Sequence, residues 1–376
     1  MASEMHVPVR EMLLGEKADV EAFFIRSLGP IDRIVFLLSF EDALKSAQKQ
    51  NGSTLVATYG GKIVGSVSMR IQLIRGKRTG FIDALVTDKE LRGRGIGRSL
   101  MDGAVSWLEE QKCEVVYATA DRYNSPSWNM FVHRGFRAYE FPQQLRDYGW
   151  SFLRLWLGEF YFIGFGTFFL RKGPREAEPR EASEVWSFVA AWLCVSLTWL
   201  IQAFRAGQPL VFLPLSLAVT GLSLFAHEFS QKVVGHLLSL DTTFKVWESG
   251  VLFSSLLAVI GSFFPSHGSI YVKQLDYWYN PKKRETGIIF AVGPFVSLAL
   301  ASFFWVLSGS TTNSLLAALG RVGYMMNLVT VIFNLIPVQA AGGFVWDGKK
   351  ILSWNKTVWL VLLMGTTVLG INDMFL

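Results

Sequence analysis

The sequence predicts an α/β domain, with a mixed sheet flanked by helices, followed by an all-α polytopic membrane domain of about six spans. Three observations predict this order. The 376 residues are 51% apolar, which is more than an ordinary soluble protein contains. Strand patterns and a glycine-rich turn lie in the first half, which also holds most of the charged residues. The second half contains long stretches that lack Asp, Glu, Lys and Arg.

Five strands are predicted in the first half. Residues 55–59 and 63–69 are apolar and β-branched, and the Gly60-Gly61 pair between them is typical of a tight hairpin turn. Further strands are predicted over Phe81–Val86 and Val115–Ala120. A last strand is expected near residues 162–171, after an aromatic-rich stretch.

A glycine-rich loop, Arg92-Gly-Arg-Gly-Ile-Gly97, follows the third of these strands directly. From the loop onward, apolar residues recur four apart at Ile96, Leu100, Ala104 and Leu108, which predicts an amphipathic helix. The first N–H groups of a helix have no intrahelical partner, and glycine allows a phosphate to approach them closely. The pattern therefore predicts an anion site at a helix N-terminus.

The loop resembles motif A of the GNAT acetyltransferases, Arg/Gln-x-x-Gly-x-Gly/Ala, through Arg92, Gly95 and Gly97. A second family pattern is similar to Asn124, Ser127, Phe131 and Gly135-Phe136. The resemblance covers roughly residues 50 to 172 and implies acetyl-CoA as cofactor. It implies these cofactor-binding residues: Leu85, Val86, Arg92, Gly93, Arg94, Gly95, Ile96, Gly97, Arg98, Asn124, Ser127 and Phe131.

The catalytic groups of an acetyl transfer are less well marked. In the family a tyrosine often protonates the leaving thiolate, but Phe131 stands at that position and has no proton to donate. Tyr123 is a candidate substitute, with a packed aromatic side chain as the alternative. Asp83 is the first candidate for general base and Asp121 the second, although each carboxylate also suits a turn or a surface. Proximity and orientation alone supply much of the rate of such reactions.

The second half contains about six candidate membrane spans by length. They are residues 185–204, 206–226, 249–266, 287–320, 322–346 and 357–372. The predicted domains are therefore an acetyltransferase-like domain over residues 1–172, a charged linker over 173–184, and a membrane domain over 185–376. The two cysteines exclude a disulfide framework and a cysteine zinc cluster.

The first domain is expected in the cytosol. Charged residues near the N-terminus do not form a signal peptide. Arg171, Lys172, Arg175 and Arg180 precede the first span, as the positive-inside tendency requires. A net charge of +6 suits a membrane surface better than a nucleic-acid groove.

The membrane half resembles the site-2 protease family of intramembrane metalloproteases. The similar segments are His227-Glu228-Phe-Ser-Gln231, Gly293-Pro294 with its neighbours, Asn334-Leu-Ile-Pro337, and Asp347-Gly348. The resemblance implies a metal site at His227, Gln231 and Asp347, with Glu228 as general base. Ionisable residues at membrane depth are costly, which supports a functional site there. An equal alternative is that these residues are remnants of a lost site, bonded to each other and to the backbone.

Three departures from that family argue against a working zinc site. Gln231 replaces a histidine, so one strong ligand is missing. Ser297 stands where the family often has asparagine. Residues 339–346 separate Pro337 from Asp347, and this insertion predicts that Asp347 is displaced from the site. Zinc is therefore a doubtful cofactor, and the sequence predicts a pseudoprotease that binds transmembrane or unfolded segments.

Three functions remain open. The first is a membrane-anchored, acetyl-CoA-dependent N-acetyltransferase that acts on an amine of a protein or small molecule. The second is an intramembrane zinc metalloprotease with a His/Gln/Asp metal site, regulated by a head that binds acyl-CoA. The third is a binding scaffold without catalysis. The intact glycine loop and the altered metal motif favour the first, with the lipid bilayer and acetyl-CoA as partners and no nucleic acid.

Overall fold

The protein divides into two compact units between residues 181 and 182. The computed structural model describes residues 7–122, 124–164, 166–173, 183–205, 207, 212–262, 267–272, 282–338 and 345–374.

The first unit is an α/β domain built on a seven-stranded mixed sheet. The sheet order is β1-β2-β3-β4-β5-β7-β6, in which only β4 and β5 are parallel neighbours. Its elements are β1 Val9–Glu11, α1 Lys17–Ser27, α2 Pro30–Gln48, β2 Gly52–Tyr59, β3 Lys62–Ile74, β4 Lys77–Thr87, α3 Ile96–Glu110, β5 Val115–Asp121, α4 Ser125–Val132, β6 Arg137–Ala138, α5 Phe141–Tyr148, α6 Phe152–Gly158 and β7 Thr167–Lys172.

Helices cover both faces of this sheet. Helix α3 buries Leu100, Ala104 and Leu108 in a cluster with strand residues such as Val67 and Ala118. On the other face, α1 and α2 supply a second cluster that includes the strand residues Val56 and Val86. The alternation of side chains along each strand divides the apolar residues between the two cores. The predicted α/β domain, a mixed sheet with flanking helices, is therefore confirmed.

The predicted hairpin and the helix after the glycine loop are present at the expected positions. Gly60 and Gly61 form the β2–β3 turn with φ of +58° and +75°, a conformation that glycine adopts easily. The last strand is shorter than predicted, because it begins at Thr167 and the preceding aromatic stretch forms α5 and α6. Trp156 of α6 is buried and donates its indole N–H to Gln144 Oε1 at 2.6 Å.

The second unit is helical, apart from one small antiparallel sheet. Its elements are α7 Glu184–Arg205, α8 Phe212–Leu237, β8 Thr242–Val246, α9 Glu248–Val259, β9 Gly268–Val272, α10 Lys283–Ser310, α11 Ser314–Leu335, α12 Asp347–Trp354 and α13 Lys356–Met374. Strands β8 and β9 pair from Thr242 with Val272 to Val246 with Gly268. The second domain is helical as predicted, and the two-stranded sheet is an addition that the sequence did not predict. Within the predicted span over residues 249–266, the described residues form the short helix α9, which ends at Val259.

Three helices in the described part of the second unit are long and apolar enough to cross a membrane. They are the 19 residues of α7 from Glu184 to Gln202, the 28 residues of α10, and the 22 residues of α11. Two shorter apolar helices, α9 and Lys356–Ile371 of α13, fall below that length. The predicted run over 287–320 contains the junction of α10 and α11, where Asn313 Oδ1 accepts from the N–H groups of Leu315 and Leu316 at 3.0 and 3.2 Å.

Candidate functional site

The glycine-rich loop joins β4 to α3. Gly93 and Gly95 have φ of +75° and +86°, and Gly95 is the residue from which α3 starts. This left-handed backbone favours glycine, because a Cβ atom would be strained there. The first N–H groups of α3 therefore end a sharp turn and are positioned to bind an anion.

Three arginines surround this helix N-terminus. Arg92 and Arg98 are exposed, and Arg94 is half-buried. Within the described part of the first unit, the side chains of Arg92 and Arg94 are not engaged in ion pairs. The N-terminal end of a helix carries a partial positive charge, so loop and arginines together suit a diphosphate.

The other predicted residues of this loop face the interior or the adjoining strand. Ile96 is buried in the core beneath α3. A Cβ built on Gly97 would lie 3.4 Å from Thr87 Cγ2, in ordinary contact with the end of β4. Leu85 packs against the same core, and Val86 is buried on the opposite face. Backbone groups, rather than these side chains, are therefore what this segment offers a cofactor.

Strands β4 and β5 part beside the loop. Their parallel pairing runs from Thr79 with Val115 to Ile82 with Ala118, while β4 continues to Thr87. A bulge lies in this last part of β4, where Ala84 has φ of +47° and the register with β3 shifts. Bulges re-aim a strand and interrupt its pairing. The opening between the two strands accordingly allows an extended ligand to pair with the backbone near Val86.

Asp83, the candidate general base, is held in a buried ion pair. Its Oδ2 accepts from Arg70 Nε at 2.5 Å, and the two side chains are 4% and 1% exposed. Burial raises the pKa of Asp83 above its usual value, although Arg70 opposes this. The ion pair gives Asp83 a structural role, and its catalytic role stays a prediction. Asp121, the second candidate, lies half-buried at the end of β5.

A second buried carboxyl, Glu159, belongs to the same cluster. Burial raises its pKa well above the usual value, and the nearby charge of Asp83 adds to that effect. Arg70 also donates to Asp42 Oδ2 at 2.6 Å and to the carbonyl of Gly158. Arg70 thus joins β3, β4, α2 and the end of α6. Sequence reasoning missed Arg70 and Glu159, although an arginine within the apolar run of β3 was a usable signal.

The residues of the second motif lie at α4. Asn124 Oδ1 accepts from the N–H of Ser127 at 3.2 Å, so this pair caps the helix. Phe131 is 3% exposed and packs edge-on against Phe136, with ring centroids 5.2 Å apart. Its ring belongs to the hydrophobic core, and its contact with a cofactor stays a prediction. Tyr123, the candidate proton donor, lies outside the described residues.

In the second unit, the three predicted metal ligands come together. His227 and Gln231 lie one turn apart on α8, with 3.2 Å between His227 Nε2 and Gln231 Nε2. Gln231 Nε2 also donates to Asp347 Oδ2 at 3.0 Å, across 116 positions of sequence. The expected displacement of Asp347 is therefore wrong. Despite the longer connection, α12 begins with its carboxylate against α8.

Two further residues hold His227. Its Nδ1 lies 2.8 Å from Ser297 Oγ on α10, and its Nε2 lies 3.4 Å from Asn334 Nδ2 near the end of α11. Helix α10 approaches closely because of Gly293, where a Cβ would lie 2.5 Å from His227 Nε2. Ser297 thus contacts the imidazole directly. From the sequence, this position was notable only because the metalloprotease family often has asparagine there.

The remaining ionisable groups of this cluster are Glu228 and Lys350. Glu228 is 8% exposed, and its Oε2 has no hydrogen-bond partner among the residues that the structure describes. Lys350 is buried and donates from Nζ to Asp347 Oδ1 at 3.1 Å. Sequence reasoning missed Lys350, yet its spacing of three from Asp347 places both on one helix face.

These residues do not fit a catalytic zinc site. Such a site needs three protein ligands with free lone pairs and one open position. Here a carboxamide N–H group lies against both His227 and Asp347, and an ammonium group lies on the second oxygen of Asp347. Over the described ranges, no group of three or more His, Cys, Asp or Glu side chains is arranged to hold a metal ion.

Comparison with known proteins gives one family match with stated bounds and one named relative. Residues 23–136 match the acetyltransferase (GNAT) family. A relative from Methanocaldococcus jannaschii, named "Putative zinc metalloprotease MJ0611", is 30% identical over 155 residues, which are 41% of this chain and 76% of the relative.

Among solved structures, a GNAT-family acetyltransferase from Streptococcus pneumoniae is 22% identical. The match covers 35% of this chain and 85% of that one, with a TM-score of 0.30. A GNAT-family N-acetyltransferase from Escherichia coli in complex with CoA is 18% identical. That match covers 37% and 72% of the two chains, with a TM-score of 0.29.

The glycine loop and the residues around His227 lie in different units. Residues 23–136 match the GNAT acetyltransferase family, and the chain belongs to the family of the M. jannaschii relative that is named a putative zinc metalloprotease.

Proposed function

We propose that the protein is a membrane-anchored N-acetyltransferase that transfers an acetyl group from acetyl-CoA to an amine of a protein or small molecule. The observation that carries this proposal is the sharp turn at Gly93 and Gly95 into α3, beside the opening between β4 and β5. An anion site beside the opening between the two strands matches two consecutive parts of acetyl-CoA, the diphosphate and the pantetheine arm.

The proposed chemistry relies on positioning. The pyrophosphate binds to the N-terminus of α3 and to Arg92, Arg94 and Arg98. The thioester carbonyl accepts a hydrogen bond from the backbone near Val86, which stabilises negative charge on the oxygen. The amine nitrogen forms the new C–N bond, the C–S bond breaks, and the proton lost by nitrogen reaches the CoA thiolate by way of solvent. Phe131 supplies no proton, so orientation provides most of the rate.

The second unit is proposed as the membrane anchor and as a site that binds transmembrane or unfolded segments, with the first unit in the cytosol. Helices α7, α10 and α11 support the anchor through their length and apolar composition. A working metalloprotease is the second candidate function, and the M. jannaschii relative favours it. The contacts of Gln231 and Lys350 weigh against a working metalloprotease. Without protease activity, the chain is an acetyltransferase with a protease-like anchor.

Gly93→Glu in the full chain tests the proposal, with Gly76→Glu as a matched control. Both glycines have positive φ, +75° and +77°, and a Cβ at either has nothing within 4 Å. Both variants therefore carry the same backbone strain, but Gly76 lies in the β3–β4 turn, at the opposite end of β4. We expect Gly93→Glu to weaken acetyl-CoA binding at least about tenfold, since a carboxylate at the anion site repels the phosphates.

The readouts are calorimetry with acetyl-CoA and acetyl transfer to a panel of amines, with Tm as a check of folding. Gly76→Glu should retain both binding and transfer. Equal binding by the two variants would contradict the anion site, and a chain that binds acetyl-CoA but acetylates no amine would contradict the catalytic part of the proposal.

A further inference from the structure

The carboxamide of Gln231 lies between the two groups that the metalloprotease resemblance assigns to a metal ion. Its nitrogen is 3.2 Å from His227 Nε2 and 3.0 Å from Asp347 Oδ2. A carboxamide NH₂ carries two hydrogens, so one nitrogen can donate to both acceptors at once. The lone pairs that would bind a metal are thereby used in hydrogen bonds.

The contacts of His227 fit this arrangement. With a hydrogen on Nδ1, the imidazole donates to Ser297 Oγ at 2.8 Å, and Nε2 is left as an acceptor. Gln231 then donates to Nε2, and Asn334 Nδ2 lies 3.4 Å away on the same side. This tautomer gives each ring nitrogen a partner, Ser297 for Nδ1 and Gln231 for Nε2, which orients the ring without a metal.

Lys350 supplies the positive charge of the cluster. Its side chain is 1% exposed, its Nζ lies 3.1 Å from Asp347 Oδ1, and it sits 3.5 Å from the centroid of the Phe290 ring. A buried carboxylate is costly unless a cation pairs with it, and the face of an aromatic ring further favours an ammonium group. Asp347 is therefore balanced by a cation from its own helix.

The opposite orientation of Gln231 is unfavourable. Turning the amide would place its oxygen against the carboxylate of Asp347, where two acceptors repel, and would remove the donor from His227. Gln231 Oε1 has no partner among the described residues, so it does not hold the amide in place. A metal bound by this oxygen and by Asp347 Oδ2 would share the carboxylate with the Lys350 ammonium on Oδ1, and the two positive charges would repel each other.

We propose that Gln231 and Lys350 together replace the metal ion of the protease-like domain. Gln231 provides the bridge between His227 and Asp347, and Lys350 provides the charge. The cluster contains no metal and holds α8, α10, α11 and α12 together through its hydrogen bonds and its ion pair. This inference concerns the second unit alone and holds whether or not the first unit transfers acetyl groups.

The first test measures thermal unfolding of the full chain in detergent, for Lys350→Met, Asp347→Asn and the double variant. Lys350→Met leaves Asp347 buried without its cation and should lower Tm by about 5 °C or more. The double variant should recover much of that loss, because neither charge remains. Lys349→Met is the matched control, since Lys349 is the half-buried neighbour on the same helix. Equal losses in the two single lysine variants, or no recovery in the double variant, would overturn the proposal.

The second test measures zinc per chain by elemental analysis after incubation with zinc chloride and dialysis. The wild type and Gln231→His should stay well below stoichiometric zinc, because Lys350 still occupies Asp347. Gln231→His with Lys350→Met should bind zinc stoichiometrically, while Gln231→His with Lys349→Met should not. Stoichiometric zinc in the wild type that is lost in His227→Ala overturns the proposal, and so does a Gln231→His, Lys350→Met variant that gains no zinc.

Discussion

At the scale of single residues, each unit buries a cation that is paired with a buried carboxylate. In the first unit, Arg70 pairs with Asp83 at 2.5 Å and with Asp42 at 2.6 Å. In the second, Lys350 pairs with Asp347. The carboxyl of Glu159 differs from these pairs, because its Oε1 has no hydrogen-bond partner among the described residues, as is also true of Glu228 Oε2. Its burial therefore favours the protonated form.

This protonation predicts a pH dependence of stability. The folded-state pKa of Glu159 is raised, so its contribution is present below its pKa in the unfolded chain, about 4.3, and is lost as pH rises through the folded pKa. Glu159→Gln mimics the protonated acid and removes that loss. We expect the stability difference between the variant and the wild type to grow in favour of the variant as pH rises.

Thermal unfolding of the full chain in detergent, over a series of pH values from about 4 upward, measures this difference. Glu110→Gln is the control, because Glu110 is an exposed carboxylate at the end of α3. The Tm of the Glu110→Gln control should change with pH in the same way as the Tm of the wild type. A constant difference between Glu159→Gln and the wild type would show that folding does not raise the pKa of Glu159.

At the scale of elements, small residues decide how closely the helices of the second unit approach. A Cβ on Gly320 of α11 would lie 2.7 Å from the backbone nitrogen of Ser308 on α10. Asn327 of α11 donates to Ser223 Oγ of α8 at 2.8 Å, so a polar contact accompanies the close packing. Such contacts are typical of helix pairs in membranes, where lipid removes much of the hydrophobic driving force between helices.

Gly293 of α10 is expected to tolerate no larger side chain without a loss of stability. A Cβ there would collide with Gln231 and His227, so Gly293→Ala should destabilise the chain by about 1–3 kcal/mol. Gly309→Ala on the same helix is the matched control, since a Cβ there meets nothing within 4 Å. Its gain in helix propensity should stabilise by up to about 1 kcal/mol. The Tm in detergent should therefore fall for Gly293→Ala and rise or stay the same for Gly309→Ala, relative to the wild type.

At the scale of the whole molecule, an acetyltransferase unit and a protease-like unit are joined in one chain. The predicted boundaries, residues 1–172, 173–184 and 185–376, remain proposals, as does the cytosolic position of the first unit. A net charge of +6 offers a second way to bind membranes, through anionic lipids. The mode of attachment is therefore open to direct measurement.

Membrane fractionation distinguishes the two modes. An embedded chain should stay in the membrane pellet after washes with high salt and with alkaline carbonate, and should be released only by detergent. Attachment by charge alone should be lost in high salt, because salt screens it. Release of the full chain by either wash would contradict the proposed anchor through α7, α10 and α11.

Local patterns in the sequence predicted much of the secondary structure. Periodicity and turn chemistry over a few residues predict the hairpin around Gly60-Gly61 and the helix that starts at Ile96. They also place His227 and Gln231 one turn apart on the same helix. The candidate anion site follows from the same local signals. The strand β9 did not follow from local signals, because its five residues pair with β8, which lies more than twenty positions earlier in the chain.

The sequence by itself determined two domains of different character, the glycine loop before a helix, and the altered metal motif at Gln231. Only the tertiary structure decided which distant groups meet: Arg70 reaches Gly158 across 88 positions, and Asp347 reaches Gln231 across 116. The physical reason is that helix and strand periods depend on neighbouring residues. The partners of a buried charge, by contrast, depend on how whole elements pack, so the insertion before Asp347 left the contact intact.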